Sequence, residues 1–94
     1  MSSLQPQPLS APPPVFNCVV YLAPADSAGI TVARVVNLSG IEGRGRTERE
    51  ALAQAVTAFK TRLAAYLASG EPIPWLTPPA PATGQTERLI AVHL

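Results

Sequence analysis

Apolar positions recur along this chain with two different periods, and the changes between them mark its elements. Residues 15–23, VFNCVVYLA, are mostly β-branched, aromatic or aliphatic, which suits a pleated strand of about eight residues. PADSAG follows, where Pro24, Asp26, Ser27 and Gly29 supply turn chemistry. ITVARVV is β-branched again, so the two runs predict an antiparallel hairpin. The first run sets Phe16, Cys18, Val20 and Leu22 on one face and Val19 and Tyr21 on the other. A hairpin with one solvated side should alternate more cleanly. The second face is therefore expected to be covered, either by the proline-rich parts of the chain anchored by Trp75 or by a second copy across a two-fold axis. The second copy is the favoured arrangement, because segments so rich in proline pack poorly and pair with no strand edge.

NLSGIEGRGR carries three glycines in ten residues and predicts a turn into a short, irregular third strand around Glu42 to Arg46. The period then changes to that of a helix. Thr47 with Glu50 three residues on is a capping box, in which the hydroxyl accepts from the Glu50 amide and the glutamate reaches back to the cap amide. Leu52, Val56, Phe59, Leu63 and Tyr66 or Leu67 recur at helical spacing and are the expected buried stripe. Arg49, Gln54, Thr57, Lys60 and Thr61 form the solvated side. Gly70 stands where a left-handed cap is expected and Pro72 forbids continuation, so the helix should run from about Thr47 to Ser69. Residues 71–86 contain five prolines and predict an extended loop pinned by Trp75 and Leu76. RLIAVHL, residues 88–94, is a final strand. The order is β-β-β-α-β: an α+β fold with a small antiparallel sheet and one long helix on one face.

Before Val15, residues 1–14 hold five prolines among small polar residues and predict a solvated, polyproline-like tail. One domain thus occupies 15–94. Its 94-residue chain carries seven basic and six acidic residues, a formal net charge of +1. That balance lacks the basic footprint of a nucleic-acid binder and the clustered charge of a membrane-surface segment. No apolar run approaches the roughly 20 residues of a membrane span, and the N-terminus shows neither cationic start nor apolar core of a signal peptide. A cytoplasmic location is expected.

Candidate chemistry is sparse. Cys18 is the only cysteine and His93 the only histidine, so neither an internal disulfide nor a zinc cluster is expected. Cys18 is read as a buried strand residue. Asp26 falls in a turn, Glu48 and Glu50 in the first helical turn where the helix dipole favours acids, Glu71 and Glu87 beside the loop, and Glu42 among glycines. No catalytic, metal or cofactor-binding residue is assigned, and the chain is not expected to be an enzyme. Gly43-Arg44-Gly45-Arg46 precedes a helix N-terminus but matches neither a phosphate-binding loop nor a dinucleotide fingerprint. Arg44, Arg46 and Arg49 are the candidate protein-binding residues.

From Val36 to Ala51, and again at Gly70 to Pro74, the chain resembles the N-terminal domain of HicB-type antitoxins. Their hairpin is followed by a segment like P-E-L-P-G-C-x-x-x-G-D-T, a helix opening E-E-A, and G-E-P-I-P. Here VNLSGIEGRGRT leads to Glu50 and Ala51, and Gly70-Glu71-Pro72-Ile73-Pro74 is intact. Val36 and Ser39 replace prolines, Ile41 replaces a cysteine, and Arg46 replaces an acid. The resemblance implies a partial ribonuclease H-like fold without a ribonuclease centre, one that binds a small RNA-cleaving toxin and covers its catalytic histidine. The family's helix-turn-helix or ribbon-helix-helix domain would follow the final strand, where this sequence stops, so operator binding is not expected of it. The expected function is non-enzymatic toxin binding. The alternative is a stand-alone homo-oligomeric scaffold or regulatory subunit.

Overall fold

Strand β1 (Val15–Leu22) is the element on which the sheet is built, because it is paired on both sides. A computed structural model describes residues 14–94; the tail expected at 1–14 therefore lies outside the described residues except for Pro14. Along one edge β1 pairs antiparallel with β2 (Thr31–Val35), which in turn pairs with β3 (Glu42–Gly45). Along the other edge it pairs through all eight residues with the last strand, β4 (Thr86–His93). The helix α1 (Glu48–Ser69) intervenes between β3 and β4 in sequence. The result is a four-stranded antiparallel sheet in the order β3-β2-β1-β4, with the helix lying over β2 and β3 on one face. Architecture and element order agree with the sequence reading. The third strand is short but regularly paired rather than irregular.

Asp26 closes the hairpin: its Oδ1 accepts from the amides of both Ala28 and Ile30 at 2.9 Å, an Asx-type turn. Where β2 ends, Asn37 continues its work. The side-chain oxygen accepts from the Val19 amide at 3.1 Å and the side-chain nitrogen donates to the Asn17 carbonyl at 2.8 Å. One amide side chain thereby stands in for a peptide unit and leaves neither β1 group unpaired, which explains why a buried asparagine is tolerated.

The core lies between sheet and helix. Cys18, Val20 and Leu22 of β1, Ala33 and Val35 of β2, and Val92 of β4 face Ala51, Ala55, Phe59 and Leu63 of the helix, with Leu38 and Ile41 closing one end. The helix register corrects the sequence expectation. Phe59 and Leu63 are fully buried, but Leu52 and Val56 are only half-buried, and the fully buried seam runs through Ala51 and Ala55 instead. The cause lies on β3. A Cβ placed on Gly43 would collide with the Ala51 carbonyl oxygen and come within 2.5 Å of the Ala55 nitrogen; one on Gly45 would lie 2.8 Å from the Ala51 nitrogen. Helix and strand backbones touch there, and only alanine fits between them. The helix is rolled so that its small residues meet the glycines, and Leu52 and Val56 flank the seam. The large side chains Phe59 and Leu63 fill the space further along.

Both helix ends follow the sequence signals, with one difference. The Thr47 Oγ1 accepts from the Glu50 amide at 3.1 Å. Gly70 adopts the left-handed conformation (φ 76°) and its amide bonds to the Tyr66 carbonyl. The Glu50 carboxylate, however, reaches past the cap and accepts from the Arg46 amide at 2.9 Å.

Part of the outer face of the sheet is covered by one of the two arrangements expected from the sequence. The proline-rich loop folds back across it: the Leu76 amide donates to the Asn37 carbonyl at 2.9 Å, and the Tyr21 hydroxyl donates to the Pro79 carbonyl, leaving Tyr21 5% exposed. Extended proline-rich backbone presents free carbonyls, so it can accept from a tyrosine without forming a strand. Trp75 anchors this loop from the other side, against Phe16 and Phe59 with ring centroids 6.1 Å apart in each case. Part of the outer face stays open, including Val15 and Leu89.

Replacing Gly43 with alanine is expected to cost about 1–3 kcal/mol, because the clash is with backbone and no rotamer relieves it. Phe59→Ala should cost about 3–5 kcal/mol through the cavity it leaves. Urea midpoints at constant slope measure both. A Gly43→Ala protein as stable as the wild type would show that the helix does not rest on β3.

Candidate functional site

Each arginine proposed from the sequence is placed by the strand-to-helix passage. In β3, Gly43 and Gly45 pair with Ala33 and Thr31 and face the helix, so alternation turns Glu42 and Arg44 to the outer face. There Glu42 stands between two guanidinium groups. Its Oε1 meets Arg44 Nη2 at 3.1 Å and its Oε2 meets Arg34 Nη2 at 3.2 Å. The hydrogen bond from Arg44, reinforced by that from Arg34, holds the Glu42 carboxyl below its ordinary range. All three side chains remain substantially exposed, so the cluster adds little to stability and presents a net positive surface.

Arg46 lies just past the strand and Arg49 in the first turn of α1, both exposed, and neither forms an ion pair with a described residue. Of the three candidates, then, only Arg44 joins a cluster. Arg34 and Glu42 are the members that sequence reading did not single out. The signal was present: Arg34 interrupts the apolar run ITVARVV at the position that alternation sends outward.

Beside this cluster is a groove of about 560 Å³, lined on the sheet side by Arg34, Val36, Ser39 and Ile41 and on the loop side by Leu76 and Pro79. Its floor is apolar and its rim charged. Arg62 of the helix donates to the Ser39 carbonyl at 3.2 Å and steadies the turn that forms one wall.

The cysteine and the histidine are kept apart. Cys18 faces the helix and His93 the opposite side of the sheet, following their pairing with Ile90 and Val15. Cys18 is fully buried, and burial pushes its thiol up from 9.0 to about 11. A neutral, inaccessible thiol is a poor nucleophile. Glu48 is paired with Arg88 at 3.1 Å, and Glu50 holds the Arg46 amide. Among the described residues no three His, Cys, Asp or Glu side chains gather as a metal site, and no helix is long and apolar enough to cross a membrane. Comparison with family models, curated proteins and solved structures gives no match.

Burial of the thiol has a consequence for pH dependence. Between pH 9 and about 11 the unfolded chain ionises Cys18 and the folded chain does not, so stability is present below that window and is lost as pH rises through it. The stability advantage of the wild type over Cys18→Ala should shrink by on the order of 2 kcal/mol between about pH 8.5 and about pH 10.5. A difference that stays constant with pH would show that the thiol ionises as freely in the folded chain.

Proposed function

We propose that this domain is a non-enzymatic protein-binding module acting as the toxin-neutralising part of a HicB-type antitoxin. The observation that carries the reading is the build of the segment whose residues resemble that family. Gly43 and Gly45 are pressed onto the helix while Arg44, Arg46 and Arg49 point away from the core, so the positive groups sit on a passage with little freedom to move. Backbone held this way loses little entropy on binding. In this reading the β-β-β-α-β order is the family's partial ribonuclease H-like arrangement, and the intact GEPIP segment starts the loop that walls the groove. The neutral buried thiol, the engaged carboxylates and the separation of Cys18 from His93 support a binding role over a catalytic one. The partner is a small RNA-cleaving toxin met in the cytoplasm.

The exposed remainder of the outer face supports a second reading, a homo-oligomeric scaffold or regulatory subunit that needs no toxin.

Purified protein incubated with RNA, DNA and divalent metals should leave both nucleic acids intact. Cleavage lost on replacing Glu42 or His93 would overturn the non-enzymatic reading. Affinity capture from the native host should return a small ribonuclease whose activity falls in proportion to added protein. Reversing Arg44, Arg46 and Arg49 to glutamate should weaken that inhibition at least tenfold, about 1.4 kcal/mol. A captured ribonuclease inhibited equally by the reversed variant would place the binding surface elsewhere.

A further inference from the structure

We propose that β4 is a self-association edge, and that two copies of the chain pair antiparallel through it into one continuous eight-stranded sheet. The two edges of the sheet are treated differently. On β3, the bond from the Val35 amide to the Ile41 carbonyl fixes the phase: odd-numbered residues bond to β2, and even-numbered ones turn their amides outward. Those outward amides are taken. The Arg44 amide donates to Gln54 Oε1 and the Arg46 amide to Glu50 Oε1, both at 2.9 Å. With four residues, charged side chains and two amides capped by the helix, this edge is closed to a further strand.

The β4 edge is longer and none of its outward amides is capped by a described residue; its charged residues, Glu87 and Arg88, lie at one end. The bond from the Leu94 amide to the Pro14 carbonyl fixes its phase, so Thr86, Arg88, Ile90 and Val92 bond to β1 while Glu87, Leu89, Ala91 and His93 direct amide and carbonyl outward. Arg88 covers the Glu87 carbonyl. None of the four outward amides donates to another described residue. The strand is eight residues long, contains neither proline nor glycine, and carries at its centre Leu89, 70% exposed. Such an edge is a template for another strand.

The occupant is a second copy, because the edge is complementary to itself. Outward residues must meet outward residues, and one antiparallel register does this across the whole strand. With the two-fold axis through Ile90, Glu87 lies opposite the second copy's His93, and Leu89 opposite its Ala91. On the helix side Ile90 meets its own copy, and both helices fall on the same face of the joined sheet. Shifting by two residues either way leaves Glu87 or His93 outside the paired stretch. Pairing β4 with the β3 edge of another copy is blocked by the capped amides, so association closes at two chains rather than continuing as a fibre. The pairing requires no toxin and stands apart from the toxin-binding reading.

Sedimentation equilibrium on the isolated chain tests it. The wild type should show twice the 9.8 kDa chain mass at about 100 μM. Leu89→Lys, a change at an exposed site, should raise the dissociation constant at least tenfold. Ala91→Pro removes an outward amide and no bond within the chain, and should do the same while leaving the thermal transition unchanged at concentrations where the wild type is monomeric. Glu87→Lys should weaken the dimer, and Glu87→Lys combined with His93→Glu should restore it. Amide exchange at Leu89, Ala91 and His93 should slow as concentration rises. A wild type that stays monomeric at about 100 μM overturns the proposal. So does a dimer indifferent to both Leu89→Lys and Ala91→Pro.

Discussion

The contact on which the rest of the structure depends is the meeting of two backbones, β3 at Gly43 and Gly45 and α1 at Ala51 and Ala55. Helices ordinarily stand off a sheet by the thickness of their side chains. Here side chains are absent on one partner and minimal on the other, so the helix settles onto the edge strand. Several features follow from that closeness. Gln54 and Glu50 come within reach of the outward amides of β3, which is how a short strand at the sheet margin becomes a closed one. The wider space along the helix falls to Phe59 and Leu63, and Trp75 packs against Phe59 from the loop that follows. Any side chain at Gly43 would lift the helix, free the amides and loosen the aromatic cluster together.

That same contact gives the outer face its chemistry. Once alternate residues of β3 are glycines committed to the helix, the intervening Glu42 and Arg44 must face outward, opposite Arg34 on the neighbouring strand. The carboxylate binds both guanidiniums and orders them, which a pair of arginines alone could not do against their mutual repulsion. Next to this positive patch the loop leaves an apolar floor in the groove. Polar rim and apolar floor are the ordinary constituents of a protein-binding surface. The asymmetry of the two sheet edges then divides the molecule: a margin at β3 whose outward amides are taken by the helix, and one at β4 whose outward amides are free of partners among the described residues.

Much of this was legible in the sequence because it depends on neighbours in the chain. Strand runs, the Asp26 turn, the Thr47 cap and the Gly70 stop are local signals, and each element appears where they place it. Burial of Cys18 followed from its place in an apolar run. The helix rotation did not follow. In a helix so rich in alanine, a stripe through Leu52 and Val56 and one through Ala51 and Ala55 both connect to Phe59 and Leu63, and apolar periodicity does not choose between them. The choice rests with two glycines on a strand paired elsewhere. Likewise, two apolar faces on the hairpin said only that something covers the second, and the loop that covers Tyr21 does so through carbonyls that carry no sequence signature.

The sequence by itself therefore determined the elements, their order and their ends, since caps, turns and β-branched runs act within a few residues. It also determined which side chains are apolar enough to be buried somewhere. The tertiary structure alone decided how the helix is rolled, that Asn37 completes β1, that Glu42 gathers Arg34 and Arg44, and which edge of the sheet is closed. Each of these joins residues whose spacing in the chain is unrelated to their distance in space. Backbone contact and hydrogen-bond phase, rather than local propensity, fix them.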